Sequence, residues 1–291
     1  MKYLVLFISF CSIFSIDVLS QGLTAVKSPE GIEILEEGKK ILFYQVKPKS
    51  HNGKYERAGY VHPLYSLKGN ILTEDFPEDH PYHHGIFWAW HQIILNGKQI
   101  ADGWTSDSIS WTVKKTTVRR GKQNISINAK VVWWSQAASK VRSAIVKENT
   151  VIVVHSLMNG KRKIDFDINL TALVDSLKIG GSDDPKGYGG FCLRLKLPED
   201  IQFVSNDTLV APQETAVTAG RQMNFRGSFD GASSSKSSVS LTANPDKDLQ
   251  NYSWILRNKG SMQNAVFPGR EPVILTKKGI RLKYSVSLGQ D

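Results

Sequence analysis

Residues 164–171 alternate apolar and polar without a break. Ile164, Phe166, Ile168 and Leu170 fall on one side, and Asp165, Asp167, Asn169 and Thr171 on the other. A period of two suits a strand with one buried and one wet face; on a helix the same residues would scatter around the axis. The rest of the chain repeats the theme. Apolar runs at 32–35 and 41–45 flank Glu36-Glu37-Gly38-Lys39-Lys40, a hairpin signature. Further strands are predicted over 58–65, 86–95, 108–118, 126–134, 150–158, 191–197, 252–256, 273–275 and 280–287. Turn dipeptides such as Asn96-Gly97 and Asn159-Gly160 punctuate them. The loop 179–190 is rich in Gly and Asp, and the Ser-rich stretch 228–240 predicts an exposed loop. No amphipathic helical pattern runs beyond about ten residues. The expected fold class is all-β: a large antiparallel β-sandwich, supersandwich-like, with few short helices.

The first twenty residues stand apart. Lys2 precedes an almost continuous apolar run from Tyr3 to Phe14, and Val18-Leu19-Ser20 offers a cleavage site before Gln21. This is the pattern of a secretory signal peptide, and the run is short for a membrane span. The expected organisation is therefore a signal peptide over 1–20 and a single β-sandwich domain over 21–291. The expected location is periplasmic or extracellular, with no transmembrane segment after cleavage. Cys192 alone remains beyond the signal, so no internal disulfide is available; its apolar setting predicts buried packing. The net charge of +10 is spread over scattered lysines and arginines, and export argues against a nucleic-acid partner.

Chemistry concentrates in 78–91, Glu-Asp-His-Pro-Tyr-His-His-Gly-Ile-Phe-Trp-Ala-Trp-His. Four of the seven histidines lie there. Pro81 and Gly85 bracket a loop that feeds a buried strand. On a strand, His83 and His91 would share a face and His84 would take the other. Neutral imidazoles converging at about 2 Å would bind a metal. His80, His83 and His84 are the candidate ligands for a divalent cation, with His62, Glu78 and Asp79 available to complete the set. A His–carboxylate pair would instead serve acid–base catalysis. On that reading His80, His83 and His84 form the centre and Asp79 orients one imidazole. Trp88 and Trp90 suit stacking on pyranose rings. A second constellation, Gly181-Ser182-Asp183-Asp184-Pro185-Lys186-Gly187-Tyr188-Gly189-Gly190, presents Lys186, and Arg194 follows. With His62 these supply candidate substrate contacts. Asn244-Pro245-Asp246, Trp254 and Pro268-Gly269-Arg270 read as turn signals first.

Several of these blocks together resemble a known family. They are Tyr60-Val61-His62-Pro63-Leu64, Leu72-Thr73-Glu74-Asp75-Phe76-Pro77, Asp79-His80-Pro81-Tyr82-His83-His84-Gly85 with Trp88, and Asp184-Pro185-Lys186-Gly187 with Gly190 and Arg194. They look like the signature of secreted bacterial proteins labelled methane oxygenase PmoA-like, and the likeness covers most of 55–290. The chain is also similar, more loosely, to the β-sandwich of aldose epimerases. The first resemblance implies an association with carbohydrate metabolism, and its label implies a metal-dependent oxidoreductase. The second implies histidine and carboxylate pairs acting on sugars.

The leading expectation is a secreted enzyme doing acid–base chemistry (hydrolysis, elimination or epimerisation) on a sugar or glycoside. A non-catalytic carbohydrate-binding module and a metal-dependent oxidoreductase are the alternatives. A two-carboxylate glycosidase fits less well, because Glu78 and Asp79 are adjacent and point apart in extended chain.

Overall fold

The computed structural model describes residues 22–136, 141–231, 236–243, 252–260 and 262–290. The expected signal peptide and Asn244-Pro245-Asp246 lie outside these residues.

The architecture is all-β, with no helix among the described residues. Two nine-stranded antiparallel sheets dominate. The front sheet includes the strands Gly31–Glu36, Lys39–Gln45, Tyr60–Leu64, Ile86–Trp90, Gly189–Leu193 and Gln263–Val266. The back sheet is built around the long strands Ile109–Arg120, Asn124–Ser135, Ser143–His155, Lys161–Ala172 and Ile280–Gln290. A four-stranded sheet, containing Gln92–Leu95, Lys98–Ala101 and Leu177–Gly180, continues at one end.

The period-two pattern builds the core as expected. Ile164, Phe166, Ile168 and Leu170 are buried, while Asp165, Asp167 and Asn169 face the wet side. On that wet side Asp165 pairs with His155 and Lys163, and Asp167 takes Arg281. Aromatic rings lock front to back. Trp88 meets Phe166 at 6.5 Å, Trp90 meets Trp133 at 5.9 Å, and Phe191 stacks on Tyr284 at 4.4 Å. Burying each such ring stabilises the sandwich by roughly 2–3 kcal/mol. The Glu37-Gly38 and Asn96-Gly97 turns have positive φ at both central residues, the geometry that lets a two-residue hairpin follow strand twist.

Three expectations need correction. The strand predicted over 86–95 is two strands in two sheets, Ile86–Trp90 and Gln92–Leu95, which separate at His91. The Ser-rich stretch is not loop to its end, because Ser237–Ala243 is a strand with Val239 and Leu241 buried. Serine is small enough to alternate with them at little cost. Trp88 and Trp90 are core residues, not a sugar platform. Their positions point into the sandwich, and their indole N–H groups donate to Glu148 Oε2 (3.1 Å) and the Phe267 carbonyl (2.7 Å).

Candidate functional site

The site forms on the outer face of the front sheet, where the odd positions of Ile86–Trp90 point away from the core. Phe87, Ala89, Tyr60, Cys192, Trp104 and Met262 make a second buried cluster there, with Tyr82 and Tyr188 packed at its margin. The buried Cys192 matches its predicted packing role.

The segment 73–85 folds over this face. Thr73 bridges to Leu195, the Glu74 N–H donates to the Arg194 carbonyl, and the Arg194 N–H donates to the Gly85 carbonyl (2.7 Å). Between these ties, turns closed by His80 N–H to Pro77 and His83 N–H to His80 gather the imidazoles. Gly85 is required by close approach, since a Cβ there would lie 2.3 Å from the Val61 carbonyl oxygen.

Arg194 clamps the segment from beneath. It is 2% exposed. Its Nε donates to Glu74 Oε2 (2.8 Å), its Nη2 to Asp79 Oδ1 (2.7 Å), and its Nη1 faces His83 Nδ1 at 3.4 Å. Asp79 Oδ2 then meets His80 Nδ1 at 2.8 Å. Burial pushes the Asp79 carboxyl up, but the bonds from His80 and Arg194 outweigh it and hold the group below its ordinary value.

His83 lies under His80, ring on ring at 4.6 Å and 5°. Burial, then the nearby His80 and Arg194 charges, push its imidazole down to about 2. His83 is therefore neutral at any ordinary pH. Guanidinium only donates, so His83 Nδ1 accepts and its proton sits on Nε2. The site thus combines an imidazole at the surface, oriented by a carboxylate, with a permanently neutral imidazole beneath it. The first can move a proton and the second can donate a hydrogen bond.

His84 is placed elsewhere. It is fully buried, and its Nδ1 contacts Asp75 Oδ1 at 2.9 Å. Asp75 also takes Lys49 Nζ (2.7 Å) and the Tyr60 hydroxyl (3.1 Å). Burial holds the His84 imidazole below its ordinary value. Its expected place in the catalytic centre is corrected: it is an anchor for the segment and is closed to any ligand. His62 bonds Thr73 Oγ1 through Nδ1 (3.0 Å), and burial lowers it to about 4. Arg194, expected to touch substrate, is instead a buried positioning residue.

Lys186 is exposed and apart from the histidines. It borders a cleft of about 610 Å³ lined by Tyr252, Phe267, Arg270 and Tyr284, and none of the histidines lines that cleft. The Gly-rich loop holding Lys186 is packed backbone to backbone: a Cβ at Gly181 would lie 2.2 Å from the Gly187 carbonyl oxygen.

His80, His83 and His84 do not form a metal cradle. Stacked rings aim their in-plane lone pairs in parallel, and His84 turns to Asp75. Among the described residues no group of three or more His, Cys, Asp or Glu converges as a metal would require.

The sequence does not single out Glu74, Trp104 or Tyr188 as site residues, nor does it pair His91 with Asp102. Asp75 and Glu74 sat inside the block that carried the family resemblance. Asp102-Gly103 was a readable turn dipeptide, but nothing local marked its distance from the histidines as short.

The family is settled by comparison. A family model, DUF6807, described as a family of unknown function, matches residues 31–290. This chain belongs to that family. The match supports neither the oxygenase label nor the aldose-epimerase likeness. No curated protein matches the chain. All the residues of the site, from Tyr55 to Met262, lie within the family match. Among the described residues no helix is long and apolar enough to cross a membrane.

Proposed function

We propose that this chain is an exported carbohydrate-active enzyme that performs acid–base chemistry on a sugar or glycoside. The observation that carries this reading is the Asp79–His80 pair, 2.8 Å apart and open to solvent, stacked on neutral His83. Asp79 fixes Nδ1–H of His80 and leaves Nε2 to accept a proton from a bound hydroxyl or an acidified C–H. The Nε2–H of His83 supplies an uncharged donor that does not change with pH, a means of polarising a carbonyl or ring oxygen. Half-buried Tyr55 and Tyr82 (rings 5.8 Å apart) and Tyr188 offer apolar faces with polar tips, the composition that suits a pyranose ring. The apolar run that opens the chain supports export.

The test uses a panel of 4-nitrophenyl glycosides and free aldoses. Phenol release reports hydrolysis or elimination, and deuterium uptake from D2O into ring carbons reports epimerisation. Turnover that falls by ~10²–10⁴ in His80→Gln is the expected result. Binding without turnover, with affinity flat from pH 5 to 8, would replace this reading with a non-catalytic module.

A further inference from the structure

A second partly exposed His–Asp pair lies on the same face. His91 sits at the break between the front sheet and the four-stranded sheet, and its Nδ1 meets Asp102 Oδ2 at 2.8 Å. The pair is built rather than incidental. Asp102 Oδ1 accepts the backbone N–H groups of Trp104 (2.8 Å) and Thr105 (3.0 Å). The loop bearing it is tied down by Gly103 N–H to the Trp90 carbonyl and by buried Arg57, whose Nη1 donates to the Gly103 carbonyl. The His91 ring stacks on Trp104 at 5.0 Å and 18°. Both partners remain partly exposed, and no partner for His91 Nε2 is found among the described residues.

Trp104 links this pair to the first. Its ring edge meets His83 at 5.9 Å and 85°, and it also packs against Tyr188 at 5.4 Å and Phe87 at 5.8 Å. Tyr82 packs on the first pair: its ring meets His80 at 5.7 Å and His83 at 4.9 Å. Both pairs share one design. A carboxylate holds Nδ1, an aromatic or imidazole ring supports the imidazole face, and Nε2 is left for a ligand.

We propose that His91, oriented by Asp102, is the second proton-transfer group of this centre and acts on the same sugar as His80. This rests on the function proposed above and gives it the partner that acid–base chemistry needs. One imidazole takes a proton from the substrate through Nε2. The other, protonated, delivers one to the oxygen that receives the electron pair. Protons are conserved over the step, and exchange with water resets both rings.

The experiment uses the mature chain with 15N-labelled histidine. The His80 and His91 Nε2 signals are assigned by their loss in His80→Gln and His91→Gln, and free aldoses and methyl glycosides are titrated in. Movement of both signals along one saturation curve is expected. Turnover in His91→Gln should fall about 100-fold or more with KM within threefold. Asp102→Asn serves as the second variant. It keeps an acceptor for the Trp104 and Thr105 amides but sets a donor against His91 Nδ1, imposing the wrong tautomer, so turnover should fall likewise. Movement of the His80 signal alone, or full turnover in His91→Gln, overturns the role of His91 and leaves the Asp79–His80 reading standing. Movement of both without turnover by the wild-type chain overturns proton transfer by His91. No movement of either signal with any sugar removes the carbohydrate reading and this inference with it.

Discussion

Asp79–His80 and Asp75–His84 are the same contact built twice within ten residues of chain. Imidazole Nδ1 meets a carboxylate oxygen at 2.8 Å in one and 2.9 Å in the other. Their side-chain exposures are 34% and 37% in the first pair, and 0% and 3% in the second. The consequences diverge. Burial favours the uncharged imidazole at His84, so the countercharge for Asp75 is Lys49, and His84 serves as a neutral donor. The bonds from His84 and Lys49 outweigh burial and keep the Asp75 carboxyl ionised below its ordinary value. A reacting group needs an accessible nitrogen, which only the first pair supplies. The same pairing therefore anchors the segment in one place and leaves an accessible, oriented imidazole in the other.

The most direct way to break this contrast is to exchange the losses. Asp75→Ala should destabilise the protein by about 2–4 kcal/mol, since it leaves the buried Tyr60 hydroxyl and His84 imidazole without their acceptor. His80→Gln should cost stability less than about 1 kcal/mol, because an exposed pair contributes little, yet reduce turnover by ~10²–10⁴. Urea unfolding and steady-state rates on the two variants check both. A His80→Gln protein that is badly destabilised, or an Asp75→Ala protein as stable as wild type, would erase the distinction.

Arg194 joins the two functions, and its loss should have an intermediate effect. Arg194→Met keeps the buried volume but frees Asp79, Glu74 and His83. With Asp79 no longer held, His80 loses orientation, and turnover should drop about 10–100-fold. Arg194→Lys should restore little, because one ammonium cannot span the three partners. Recovery of full rate in the lysine variant would show that charge alone, not the fork, is what the site uses.

Acid should sharpen the contrast further. His62 and His83 fall to about 4 and about 2 on folding, so the unfolded chain takes up their protons more readily. Their contribution is fully present above pH ~6.5 and drains away as pH falls through the window below it, at most about 1.4 kcal/mol per pH unit for each. His84 has the same sign. His62 is partly exposed, and its share is smaller. Unfolding measured at pH 7.0 and 5.5 should therefore differ by roughly 2 kcal/mol. Asp75 and Asp79 are lowered on folding and act later, their stabilisation being lost only as pH falls below about 4. Equal stability at pH 7.0 and 5.5 would mean that the buried imidazoles are already protonated in the folded protein.

The fold was more legible than the site, for a physical reason. Strand identity follows from period-two burial that any eight residues can display, and 164–171 did so. Glu37-Gly38 and Asn96-Gly97 likewise carried their turns in their own chemistry. The boundaries failed where tertiary packing decided them, as at His91, where an unbroken apolar run changes sheets. The histidine loop was visible as a cluster, but neither His83 nor His91 lies within the strand Ile86–Trp90, so parity along a strand does not place them; both pack against Trp104 through contacts that the sequence does not show. Which imidazole stays at the surface was not legible: His80 does, while His83 and His84 are both buried, and the tertiary ties of the loop decide it. Nor could the tryptophans be sorted from sequence: Trp88 and Trp90 looked like sugar platforms because nothing local revealed Glu148, sixty positions away, as the partner of Trp88.

The finest version of the comparison is between neighbours. Glu78 and Asp79 are both exposed carboxylates one residue apart. Asp79 is gripped by Arg194 and His80, and no partner for Glu78 is found among the described residues. If orientation by Arg194 is what gives the pair its chemistry, charge near His80 is not enough by itself. Glu78→Gln should leave turnover within twofold of wild type. Asp79→Asn keeps the size of the side chain but replaces an acceptor with a donor, which opposes either Arg194 or the His80 Nδ1–H; turnover should fall as it does in His80→Gln. Rates for the two variants, measured side by side in low and moderate salt, separate the cases. A Glu78→Gln loss that salt mimics would assign the effect to the local field rather than to the built pair, because screening removes the first and leaves a 2.8 Å hydrogen bond largely intact.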